Sequence, residues 1–122
     1  MASIGFDLGS VYTKAVLLDD HGRIELTLYR KKSEGDGATV DSFLDQIESL
    51  YPTRSFHAGV AGSRGTGPLV ATNALFAIAS GVGLLQPAAR SIIEIGGHTS
   101  KFIVLGESPA GTDVRDFATN EA

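Results

Sequence analysis

The chain repeats itself. Residues 6–18, FDLGSVYTKAVLL, lie over residues 93–105, IEIGGHTSKFIVL, without a gap. Gly9 falls on Gly96, Lys14 on Lys101 and Leu18 on Leu105. Asp7 faces Glu94, Leu8 faces Ile95, Ser10 faces Gly97, Thr13 faces Ser100 and Val16 faces Ile103. The shared recipe is a strand, an acid, an apolar residue, a glycine, a small residue, two free positions, a hydroxyl, a lysine and a second strand. Two apolar hairpins often look alike by chance. An acid, a glycine, a hydroxyl and a lysine kept in step mark an internal duplication, so the fold must be built around two related hairpins.

The rest of the chain is patterned to match. Strands are expected over residues 2–7, 13–19 and 23–29, joined by short turns such as Asp20-His21-Gly22. The second of these is nearly all apolar, which places it inside a sheet. A polar loop, 33–38, leads to Val40, Phe43, Leu44, Ile47, Leu50 and Tyr51 at helical spacing, with Thr39 as N-cap and Pro52 as stop. Residues 55–61 read as a fourth strand that runs into the glycine-rich turn 62–67. Pro68 suits a first helical turn. Residues 69–82, closed by Gly83 and Pro87, form a helix apolar on almost every face, which implies burial on several sides or between domains. Strands at 91–95, 99–105 and 113–119 follow. Their apolar faces need cover, from helix 69–82 or from another copy. The order predicts an α/β protein with a mixed sheet and flanking helices.

Composition narrows the function. The 122 residues fit one ordinary domain, and 43% hydrophobic and 20% charged residues are globular values. A net charge of -4 argues against a nucleic-acid surface, which needs a basic stripe. The basic run Arg30-Lys31-Lys32, followed by Glu34 and Asp36, reads as a solvated loop. No apolar stretch approaches the ~20 residues of a membrane helix, and no signal-peptide pattern opens the chain, so a cytoplasmic protein without a membrane partner is expected. There is no cysteine, hence no disulfide and no thiolate-held metal within these residues.

The hairpins carry the chemistry. Glycine lets the backbone turn tightly and approach a ligand, leaving amides that suit phosphate. A hydroxyl adds a donor, and lysine a point charge. The acid fits a phosphate-bound Mg²⁺ reached through water. The plainer alternative is a pair of ordinary hairpin turns with exposed lysines. Gly59, Gly62, Gly65 and Gly67 are not spaced as a dinucleotide fingerprint, and a turn into a helix accounts for them better than phosphate contact. His98 either touches phosphate or sits on a surface loop, and His21 and His57 read as structural or exposed. No serine–histidine–acid set or metal-ligand cluster is legible.

Asp7-Leu8-Gly9-Ser10-Val11-Tyr12-Thr13-Lys14 resembles the first phosphate motif of the actin, sugar-kinase and heat-shock-70 superfamily, and Glu94-Ile95-Gly96-Gly97-His98-Thr99-Ser100-Lys101 the second. Within it, RSIIEIGGHTSKFI and DFATNEA most resemble the activators of 2-hydroxyacyl-CoA dehydratases and the ATPase subunits of benzoyl-CoA reductases. The resemblance implies a ribonuclease-H-like first domain, 1–88, and the opening strands of a second similar domain, 89–122, cut short. It implies ATP or ADP with Mg²⁺ as ligands, an ATPase that drives electron transfer into an acyl-CoA dehydratase or reductase partner, and a homodimer. The dimer's iron–sulfur cluster belongs to the intact protein, and the fragment alone is expected to be inactive. On this reading Asp7 and Glu94 position Mg²⁺. Gly9, Ser10, Gly96 and Gly97 give backbone donors, and Thr13, Lys14 and Ser100 bind phosphate oxygens. Lys101 matches the repeat, but its direction is not readable.

Three departures weaken the case for hydrolysis without weakening that for binding. Glu94 stands where the motif usually has aspartate, Thr99 where an acid is frequent, and Ala74, after Asn73, where the family commonly has an acid. Two alternatives follow. A small-molecule kinase of the same fold would need a substrate-binding insert that 33–38 is too short to supply. A non-hydrolysing nucleotide switch or scaffold needs none.

Overall fold

The computed structural model describes residues 1–32, 35–62, 69–109 and 111–121. The chain forms two compact units, Met1–Thr72 and Asn73–Ala122.

In the first unit, β1 (Ala2–Leu8), β2 (Tyr12–Leu18) and β3 (Ile24–Lys31) form an antiparallel meander. The β2–β3 connection is closed by Asp19, whose carboxylate accepts the amides of His21 and Arg23 at 2.8 and 2.9 Å. Gly22 takes a φ of 77° there, where a side chain would be strained. Helix α1 (Asp36–Leu50) crosses over to β4 (Phe56–Gly62), which pairs parallel with β1, and the short β5 (Val70–Thr72) pairs parallel with β4. The sheet order β3-β2-β1-β4-β5 is therefore mixed, and β2 is an interior strand, as its apolar sequence requires. One face of the sheet presents Ile4, Phe6, Leu8, Ala15, Leu17 and Val60 to Val40, Phe43 and Ile47 of α1. Full burial of each such large side chain is worth about 1.5–3 kcal/mol.

The helix boundaries differ from those expected. Helix α1 starts at Asp36, with Gly35 as N-cap and no side-chain capping bond. Thr39 lies inside it, buried, its hydroxyl donating to Gly35 O at 3.4 Å. The N-cap itself makes no side-chain bond, so this helix start carries no capping signature in sequence. The basic run also departs from a solvated loop. Arg30 belongs to β3, lies 5.0 Å over the Phe43 ring and donates to Ser42 Oγ.

In the second unit, helix α2 (Ala74–Leu85) precedes β6 (Ser91–Ile95), β7 (Thr99–Ser108) and β8 (Gly111–Glu121), an antiparallel sheet in that order. The expected helix start at residue 69 is overturned. Val70–Thr72 is a strand, and Asn73 caps α2 by accepting the Leu75 amide at 2.8 Å. Pro68 and most of the glycine-rich turn lie outside the described residues. Gly83 sits within α2, which ends at Leu85 under Gln86. Ala79 of α2 packs with Ile103 and Leu105 of β7, flanked by Leu75, Ile78, Val82 and Val114. The domain boundary read from sequence, at residue 88, falls after this helix, whereas its contacts group α2 with the second unit. The opposite face of the sheet is bare: Ile93 is 73% and Ile95 81% exposed, with Phe102 beside them.

Candidate functional site

The two hairpins are built alike to the level of single bonds. In the first, Leu8 pairs with Thr13 and Asp7 with Lys14. In the second, Ile95 pairs with Ser100 and Glu94 with Lys101. Each turn closes with one bond from its glycine, Gly9 N–H to Tyr12 O at 3.0 Å and Gly96 N–H to Thr99 O at 2.8 Å. A Cβ on Gly9 would stand 2.7 Å from Tyr12 O, and one on Gly96 3.3 Å from Thr99 O. Glycine is therefore what allows the first turn to close this tightly.

Cross-strand pairing puts an acid beside a lysine in both. Lys14 Nζ lies 3.0 Å from Asp7 Oδ2, and Lys101 Nζ lies 3.4 Å from Glu94 Oε2. The first pair is about half exposed, the second more sheltered. Lys101 also donates to Thr99 Oγ1 at 3.3 Å. Thr99, noted in the sequence only as a missing acid, thus helps to hold the lysine.

The glycine amides are spent inside their turns, so Gly9 and Gly96 supply the bend rather than a donor. Within the two turns, the amides of Ser10 and Val11, and of Gly97 and His98, have no hydrogen bond among the described residues. The amides of Ser10 and Gly97 are thus open to a ligand. Thr13 does not share the lysine's surroundings. Successive strand residues point to opposite faces, so with Lys14 on one face Thr13 enters the core on the other. It is completely buried, and its hydroxyl has no partner among the described residues. Ser100 likewise alternates away from Lys101 and is half-buried.

One residue was missed. Lys32, from the basic run read as loop, reaches the first turn, its ammonium donating to Gly9 O at 3.2 Å. The β2–β3 register, with Tyr12 opposite Lys31, is the signal that would have found it.

The first turn fits a phosphate group: a bend only glycine allows, two open amides and nearby ammoniums. Fit to a metal alone is poorer, since no cluster of three or more acid, histidine or cysteine side chains exists among the described residues. A cation at Asp7 would complete its shell with water and phosphate oxygens, as Mg²⁺ commonly does. An iron–sulfur cluster does not fit these residues, which include no cysteine.

Sequence comparison finds no matching family model and no matching curated protein. Comparison of the fold does. The chain is similar to the activator of the 2-hydroxyisocaproyl-CoA dehydratase from Clostridium difficile with bound ADPNP, at TM-score 0.78 and 22% identity, covering 99% of this chain and 46% of that one. It is similar to component A of the (R)-2-hydroxyglutaryl-CoA dehydratase from Acidaminococcus fermentans, at TM-score 0.78 and 19% identity, covering 99% and 48%. It is also similar to the ethanolamine utilization protein EutJ from Carboxydothermus hydrogenoformans, at TM-score 0.72 and 17% identity, covering 100% and 52%. The fold is that of the actin-like ATPases, and the chain spans about half the length of the structures it matches. No helix among the described residues is long and apolar enough to cross a membrane.

Proposed function

We propose that this chain holds the polyphosphate of ATP or ADP, as part of an ATPase that couples hydrolysis to electron transfer into an acyl-CoA dehydratase or reductase. The observation that carries this reading is the turn built twice, with the same register, the same closing bond and the same acid–lysine pair. Phosphate binding requires donors and positive charge at a backbone that can come close. Each turn offers two open amides beside an ammonium. Asp7 and Glu94 would hold Mg²⁺ through its water shell, and the ion would supply neutralisation of phosphate charge. The ammoniums of Lys14 and Lys101, beside these acids, would pair with phosphate oxygens. ADPNP bound in one of the similar structures supports a nucleotide ligand. The activator and component A likenesses support a dehydratase partner. The homodimer, the cytoplasmic location and the iron–sulfur cluster belong to the same proposal for the whole protein. The cluster's ligands would come from outside this sequence. The division into domains 1–88 and 89–122 stands on the same footing.

One observation favours a second reading, a nucleotide switch that does not hydrolyse. The first turn of α2, opening with Ala74, carries no acid, and Thr99 is committed to Lys101. Phosphate release measured against a matched blank separates the two.

The binding test is a titration of Mg-ATP into the chain, followed by NMR. Weak, saturable shifts at Ser10 and Val11 are expected. A charge-assisted phosphate contact is worth roughly 1.5–3 kcal/mol, so Lys14→Ala should weaken binding about tenfold or more. Tight binding that ignores Lys14→Ala would sink the site assignment.

A further inference from the structure

The duplication extends past the two turns, into a feature that the sequence alone does not show. In the first copy the β2–β3 register slips between Leu17 and Leu18. Leu17 pairs with Leu26 and Leu18 with Ile24, which leaves Glu25 unpaired. In the second copy the β7–β8 register slips between Val104 and Leu105. Val104 pairs with Asp116 and Leu105 with Val114, which leaves Arg115 unpaired. Val104 and Leu105 are the repeats of Leu17 and Leu18. Both third strands therefore bulge at the same place, and a bulge re-aims the side chain of its extra residue.

In the first copy the role of that side chain is visible. Glu25 meets Arg54 at 2.7 Å, with both side chains largely sheltered. Arg54 lies just past α1, over the rings of Tyr51 and Phe56. The bulge thus ties the sheet to the far end of the helix that covers Phe6, Leu8, Ala15 and Leu17. The second copy has the bulge and the apolar face without the cover. Leu105 turns toward α2, so Gly106 faces the other way. The Arg115 stem lies in the space that a Cβ on Gly106 would occupy. Arg115 is therefore on the bare face, with Ile93, Ile95 and Phe102. It is exposed, and its guanidinium has no ion pair or hydrogen bond among the described residues. The neighbouring Asp116 carboxylate accepts the Phe117 amide instead.

We infer that this face seats an amphipathic helix from the rest of the protein, and that Arg115 receives an acidic side chain just past the end of that helix. The contact would be the Glu25–Arg54 bridge with its charges reversed. The inference rests on the duplication and on the proposal that the whole protein is longer than this sequence, not on the nucleotide reading. The matched structures leave room for such a helix, since the chain covers 46%, 48% and 52% of them. Burial of Ile93, Ile95 and Phe102 favours any apolar cover, and Arg115 selects among covers. An acid gains a partner there, whereas a basic residue such as Arg54 itself would set like charges together.

The test appends a copy of residues 36–54 to the C-terminus through a short Gly-Ser linker, in one form with Arg54 kept and in another with Arg54→Glu. The linker holds the helix at an effective concentration of about millimolar. Hydrogen exchange at Ile93, Ile95 and Phe102 reads the cover, below the concentration at which the parent chain associates. The Arg54→Glu form should slow exchange there, by about fivefold or more beyond the form with Arg54 kept. Arg115→Glu should reverse the order of the two forms. Arg115→Lys should preserve it, which separates charge from any disturbance of the bulge. A face as open with the appended helix as without it overturns the inference. Equal protection by both forms also overturns it, since Arg115 would then play no part in choosing the cover. No nucleotide enters the measurement, so a failure of ATP binding leaves these outcomes unchanged and the two proposals fall separately.

Discussion

At the scale of single residues, Gly9 and Gly96 look interchangeable in sequence and are not so in space. Alanine at Gly9 must push a backbone carbonyl aside from 2.7 Å, whereas at Gly96 the contact is 3.3 Å and a small shift relieves it. Gly9→Ala should cost about 1–3 kcal/mol, in the range of overpacking, and Gly96→Ala distinctly less. Urea midpoints read by hydrogen exchange at each turn would separate them. Asp19 makes a second prediction. The amide of Arg23, and next that of His21, hold its carboxyl below the usual carboxylate range. A group whose folded pKa is depressed contributes stability above its unfolded pKa and loses it as pH falls through the folded value. The β2–β3 turn should therefore loosen as the solution passes below about pH 4. Asp19→Asn, which keeps an acceptor but no titration, should flatten that dependence in acid unfolding curves.

The elements were legible to unequal degrees, for reasons visible in particular residues. Strands announce themselves by alternation, and the repeat doubles the signal, so both hairpins with Asp7, Lys14, Glu94 and Lys101 could be placed before any coordinates. Thr13 could have been assigned to the core by the same alternation, since its neighbour Lys14 points away. Helix starts were harder. Thr39 and Pro68 are good capping and first-turn residues, yet α1 begins without a side-chain cap and α2 is capped by Asn73, one of several polar residues available. Lys32 needed the register between β2 and β3, which an irregularity between Leu17 and Leu18 shifts. The cap on α2 is itself testable. Asn73→Ala leaves the Leu75 amide without its acceptor and should cost about 1 kcal/mol, seen as faster exchange in the first turn of α2.

At the scale of the whole molecule, the two copies of the repeat differ in what covers them. Phe6, Leu8, Ala15 and Leu17 in the first copy lie buried under α1. Their counterparts in the second are Ile93, Ile95, Phe102 and Val104, and the first three of these are largely exposed. A contiguous apolar face on an open sheet is an association hazard, and β6 is an edge strand. Sedimentation velocity should show the chain self-associating as concentration rises, and Ile95→Lys should suppress it without loss of strand signal. Unchanged association in Ile95→Lys would place the sticky surface elsewhere.

The acid–lysine pairs have a consequence for ionic strength. An anion that lands on a lone lysine loses affinity as salt screens the attraction. Here each lysine is already neutralised by its own cross-strand partner, and a ligand must compete with that partner. Salt screens the competitor along with the ligand. The affinity of these turns for phosphate should thus fall with salt more gently than a count of lysines implies, and more gently at the sheltered Lys101 than at the exposed Lys14.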